Sequence, residues 1–153
     1  MPDLTATRAR DLFESGWFCT EAVVKAIAEH QNIDSPLIPK MATGLTAGVA
    51  RTSDLCGAVS GAILGLGLAM GRASSEDSVE AIFAATQTLL AEFKQAYGST
   101  NCGVLTSVDI NTPAGQTAFR ESGQRVHCAA YVAWATQKAL DLIAAQEAPR
   151  HEF

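Results

Sequence analysis

An all-α domain is the fold class this sequence predicts, and three observations predict it. Alanine and leucine dominate while β-branched residues are thinly spread, a bias toward helix. Apolar residues recur at helical spacing, most clearly Ala22, Val23, Ala26 and Ile27. No alternating apolar and polar run persists that would support a strand.

Five main helices are expected, in one compact domain over residues 1–153. Thr5–Ser15 is periodic, with Leu12 and Phe13 on one side and Gly16 as its stop. Cys19–Gln31 follows, until Asn32-Ile33-Asp34-Ser35-Pro36 breaks it. Leu37–Ser53 carries Pro39, Gly44 and Gly48 and reads as a short helix with an irregular loop. Ser53 or Asp54 can cap the long apolar helix that holds Cys56. Asp77 and Glu80 resemble a capping box for the next helix, which Gly98 ends. Ser99-Thr100-Asn101 offers caps directly before Cys102, and Thr112-Pro113 begins another turn of helix. Val126–Gln146 is the last long helix and carries Cys128.

Charge and length narrow the function. Net charge is −5 and the 11 Lys and Arg residues are scattered, so no basic stripe for nucleic acid forms. Residues 55–71 lack a charge, but at seventeen residues rich in glycine they read as a buried core helix rather than a membrane span. The first residues show no apolar stretch after a basic start, so no secretory signal is read and a cytoplasmic location is expected. In that compartment thiols stay reduced.

The four cysteines say most about function. Cys19, Cys56, Cys102 and Cys128 each fall in the first turn of an expected helix. A thiol there faces unpaired backbone N–H groups and the positive end of the helix dipole, and both favour the thiolate. Intervals of 36, 45 and 25 residues separate them, with no C-x-x-C, so neither a short-spaced zinc motif nor a thioredoxin-like motif is present. Within the central helix Gly57, Gly61, Gly65 and Ala69 recur every four residues and give one nearly side-chain-free face. Three glycines cost helix propensity of about 1 kcal/mol each, so the face needs a compensating contact. A close helix–helix contact and a backbone approach to a cofactor near Cys56 both meet that need. His127 precedes Cys128, where it can perturb the thiol or bond a cluster sulfur; the alternative is an exposed residue at a helix start. No acid–base dyad or Ser-His-Asp spacing stands out, so enzymatic activity is left open.

Gly16-Trp17-Phe18-Cys19-Thr20-Glu21-Ala22-Val23, Cys56-Gly57-Ala58-Val59-Ser60-Gly61-Ala62, Gly98-Ser99-Thr100-Asn101-Cys102 and His127-Cys128 resemble the four blocks of the redox-active family named for its C, CGAxxG, C, C pattern. The resemblance runs from about Phe13 to Leu142. It implies a small helical protein with a redox role, often encoded near transporter genes. A related cysteine-rich domain in split-Soret cytochromes is associated with an iron–sulfur cluster. By this resemblance Cys19, Cys56, Cys102 and Cys128 become candidate cluster ligands or redox thiols. Where relatives carry Gly-Tyr-Asn before the first cysteine, this chain has Gly16-Trp17-Phe18 and loses an Asn cap.

Three readings follow. In the preferred one the four thiolates bind an iron–sulfur cluster for electron transfer with an unidentified redox partner. In the second, no metal is held and paired cysteines cycle between thiol and disulfide. In the third, the chain is a noncatalytic accessory module, such as a partner of a membrane transporter system, with structural zinc or buried thiols. The small-residue face also leaves room for a homodimer.

Overall fold

A computed structural model describes residues 3–148. All regular structure among them is helical: α1 (Leu4–Glu14), α2 (Cys19–His30), a 3₁₀ turn (Lys40–Leu45), α3 (Thr46–Arg51), α4 (Gly57–Met70), α5 (Glu80–Tyr97), α6 (Cys102–Thr106), α7 (Pro113–Glu121) and α8 (Arg125–Glu147). The five expected long helices are α1, α2, α4, α5 and α8. Three short ones bring the count among the described residues to eight. Local caps set two of these, Asn101 accepting from Val104 N–H and Thr112 from Gly115 N–H. Helices of five and nine residues are too short for periodicity to reveal them.

Two expected caps lie elsewhere. Asp77 accepts from Ala73 and Ser74 N–H in the preceding loop, while Val79 takes the N-cap position of α5. Asp54 does not cap α4; Cys56 itself is the N-cap residue.

The core is built on α2 and α4. Residues 20–24 and 26–28 of α2 are buried, leaving only Lys25 between them partly open. The glycine stripe of α4 lies against this helix. A methyl group at Gly61 would stand 2.8 Å from the Thr20 carbonyl oxygen and the Val23 Cβ, and one at Gly65 would stand 2.5 Å from Ile27 Cδ1. At Gly57 it would collide with the Cys19 sulfur. Contacts therefore advance along both helices in the same direction, so α2 and α4 run parallel and their N-termini share one end of the molecule. A buried hydrogen bond between the Thr20 and Ser60 hydroxyls, 3.0 Å, fixes the register. The glycine stripe is thus covered by α2 within the chain itself.

Helix α8 packs across α1, α2 and α4, with Val132, Ala135 and Ala139 fully buried. Phe93 and Tyr97 of α5 meet Tyr131 and Trp134 of α8 in a tilted and edge-on aromatic cluster, centroids 4.7–6.0 Å apart. Among the described residues no helix is long and apolar enough to cross a membrane.

Candidate functional site

Parallel packing of α2 and α4 brings Cys19, the first residue of α2, beside Cys56, the N-cap of α4. A second device brings Cys102 to them. Leu55 and Asn101 form a short antiparallel bridge, with Cys56 N–H donating to the Thr100 carbonyl and Cys102 N–H to the Asp54 carbonyl, both at 2.7 Å. The two cysteines are thereby held on adjacent strands of chain at the starts of α4 and α6. Cys128 enters from the first turn of α8, whose start is tied down by Arg125: its guanidinium donates to the Phe13 carbonyl at 2.7 Å and lies 4.2 Å from the Phe13 ring centroid.

All four cysteines line one cavity of about 280 Å³. Its walls are chiefly apolar, from Phe13, Phe18, Leu105, Ile110, Phe119 and Tyr131. Each cysteine is a free thiol. Phe18, the N-cap residue of α2, provides no side-chain cap, and Glu21 braces the helix start in another way. That carboxylate accepts from Phe18 N–H at 3.0 Å and from the Thr43 hydroxyl at 2.9 Å, tying the start of α2 to the 3₁₀ turn.

The floor beside Cys19 and Cys102 is α3, and its backbone is left-handed. Ala47, Gly48, Val49 and Ala50 have φ of 55°, 64°, 60° and 53°, and Arg51 has φ of 68°. Such conformations cost about 1–2 kcal/mol for each non-glycine residue, most acutely for β-branched Val49. Hydrogen bonds hold the turn: Asp54 N–H and the Thr52 hydroxyl donate to the Gly48 carbonyl at 2.8 and 3.0 Å. The turn presents Ala47 N–H to the Cys19 sulfur. It also places Gly48 beneath Cys102, where a methyl group would come within 2.5 Å of the Cys102 Cβ.

Helix starts were expected to lower the thiol pKa values, and the site does the opposite. Burial pushes Cys56 up to about 12, with charge on Cys19 and Cys102 adding to the effect; Val59 and Ala58 N–H groups oppose it. Burial and then neighbouring Cys19 raise Cys102 to about 11. Cys128 rises to about 12 through burial, Cys19 and Cys102, with Arg125 opposing. Cys19 is also raised by burial, against the N–H groups of Ala47, Thr20 and Cys19 itself. Removing a thiolate from water beside other thiols outweighs the helix dipole.

The remaining sequence candidates separate. Gly57 lines the cavity, but Gly61 does not: it serves the contact with α2. His127 is exposed on α8 and does not line the cavity, because the helical turn that points Cys128 inward turns its predecessor outward. His30 bonds the Thr5 hydroxyl through Nδ1 at 2.9 Å. Sequence reasoning missed Ala47, Arg51, Arg120, Arg125 and Tyr131; no local pattern marks residues gathered from three separate elements, α3, α7 and α8.

The donor set fits a sulfur-ligated group. Four thiols meet in an apolar cavity, and N–H groups from Ala47, Thr20, Ala58 and Val59 face two of the sulfurs. Among the described residues no three His, Cys, Asp or Glu side chains come together closely enough to hold a metal ion. The four thiols share the lining of one cavity.

Neither the curated proteins nor the solved structures yield a match to this chain. One family model does match, over residues 17–142, with the description "Putative redox-active protein (C_GCAxxG_C_C)". That span contains all four cysteines and the start of every helix at which one stands, and the chain belongs to this family.

Proposed function

We propose that Cys19, Cys56, Cys102 and Cys128 hold an iron–sulfur cluster and that the protein is an electron carrier. The observation that supports this is the meeting of four thiols, far apart in sequence, around one apolar cavity. A single zinc ion needs four sulfurs each about 2.3 Å from one point, whereas a cluster occupies a volume with its cysteines around it. Such a cluster, when bound, supplies one-electron transfer.

The chain's own residues do the rest. Ala47, Thr20, Ala58 and Val59 N–H groups direct partial positive charge at the Cys19 and Cys56 sulfurs and so favour the more negative, reduced state. Gly57 and Gly48 let backbone lie under Cys19 and Cys102 without a side chain between. Phe13, Leu105, Ile110 and Tyr131 limit access of water to the sulfurs.

The test is iron and acid-labile sulfide per chain on protein purified without oxygen, together with visible absorbance. Stoichiometric iron and sulfide are expected, with both lost in Cys56→Ser. Iron-free protein that reversibly loses two or four thiols on oxidation would overturn this reading in favour of thiol–disulfide chemistry.

A further inference from the structure

The cavity has one sign of charge. Its charged lining residues are Arg51 of α3, Arg120 of α7 and Arg125 of α8, with no Asp or Glu, in a chain whose net charge is −5. Three elements separated in sequence each contribute an arginine to the lining of this one cavity. Arg125 is engaged with the Phe13 carbonyl and ring. Arg51 and Arg120 are exposed, and among the described residues neither belongs to an ion pair. The only side-chain partner of Arg120 there is the Thr117 hydroxyl at 3.3 Å. The rest of the lining is chiefly apolar, with Phe18, Ile110 and Phe119 part of the same wall as the arginines and the cysteines.

A guanidinium presents a planar fork of donors that matches a carboxylate or phosphate, and an apolar cleft strengthens that attraction. Apolar walls with a few convergent polar groups are the usual make-up of a small-molecule site. We propose that the mouth of the cysteine cavity binds a small amphiphilic anion. Arg51 and Arg120 hold its carboxylate or phosphate head, and its apolar body lies along Phe18, Ile110 and Phe119 toward the cysteines. This names the substrate class of the site proposed above and rests on that reading.

The test titrates hexanoate, phenyl phosphate and 1-hexanol onto the anaerobically purified full chain, followed by ligand-observed NMR, with iron measured on the same samples. At least tenfold tighter binding of hexanoate or phenyl phosphate than of 1-hexanol is expected; whichever is tighter identifies the preferred head group. The double variant Arg51→Gln, Arg120→Gln should bring the anions and the alcohol within about twofold, with iron content unchanged. Equal binding of anion and alcohol by the unaltered protein, which needs no variant to fold, overturns the proposal. So does a preference that survives the double replacement. Iron retained without charge preference counts against this site alone, and charge preference without iron against the cluster alone.

Discussion

Gly57 and Gly48 each lie where an added methyl group would meet a cysteine, Cys19 in the first case and Cys102 in the second. The two backbones that carry them have opposite hands. Gly57 opens a regular right-handed helix whose glycines at 57, 61 and 65 all face α2. Gly48 sits in a left-handed turn with φ of 64°, flanked by Ala47, Val49, Ala50 and Arg51 at positive φ as well. In α4, glycine supplies room in a backbone that any residue could adopt. At Gly48 it supplies room and also the conformation. The first region draws stability from close packing; the second holds strain, at the place where the chain reaches two of the cysteines. Strained backbone persists where surrounding structure over-determines it, and such positions cluster at functional sites.

Filling the glycine stripe of α4 should disturb the fold most. In Gly61→Leu the new Cβ meets the Thr20 carbonyl and Val23 Cβ at 2.8 Å, and helix backbone cannot step aside. Overpacking should cost about 1–3 kcal/mol or more, read as a fall in thermal midpoint. An unchanged midpoint would show that α2 and α4 do not pack through this face.

Glycine substitution sharpens the comparison, because its sign should reverse between the regions. Ala50 is exposed at φ of 53°, so Ala50→Gly relieves about 1–2 kcal/mol of left-handed strain while adding unfolded-chain entropy worth about 0.4–1 kcal/mol. A net gain of about 0.5–1 kcal/mol is expected. Ala62 is fully buried in α4, and Ala62→Gly should lose about 1 kcal/mol or more. Denaturant midpoints of the two variants decide it, and a loss in both would remove the left-handed turn from the argument.

The smallest effect concerns the thiols in metal-free, reduced protein. Their pKa values are raised, so the folded chain keeps them protonated above the ordinary value of 9.0, where an unfolded chain ionises. Stability from this source is complete below pH 9 and declines as pH climbs toward 12. Alkylation by iodoacetamide should be slow at pH 7.5, with Cys102 reacting ahead of Cys56 and Cys128 as pH approaches 11. Mass spectrometry of the labelled peptides reads the order. Rapid labelling of all four at pH 7.5, with helical circular dichroism intact, would show that burial does not govern these thiols.

Much of the fold was legible in the residues, and the reason is local. The five long helices follow from stripes and stops such as Ala22, Val23, Ala26 and Ile27, or Gly98 with φ of 89° closing α5. The 57–61–65 spacing announced a close contact because four residues make about one helical turn. Each cysteine fell in the first turn of a helix or at its cap, since the signals that begin a helix are short-range.

The assembly of the site depends on contacts between segments distant in sequence. Parallel packing of α2 and α4 unites Cys19 with Cys56, and the Leu55–Asn101 bridge adds Cys102; neither pairing leaves a mark in spacings of 36 and 45 residues. The thiol pKa values reversed their expected direction because burial belongs to the assembled cavity, whereas the helix dipole can be read from one segment. Ala47–Arg51 gave no sign of its left hand, since only Gly48 among them favours it; Asp54 N–H and Thr52 close the turn onto the Gly48 and Val49 carbonyls. Sequence determined where helices start and which residue types stand there. Folding alone determined which of those starts face one another, because that is fixed by packing between segments rather than within them.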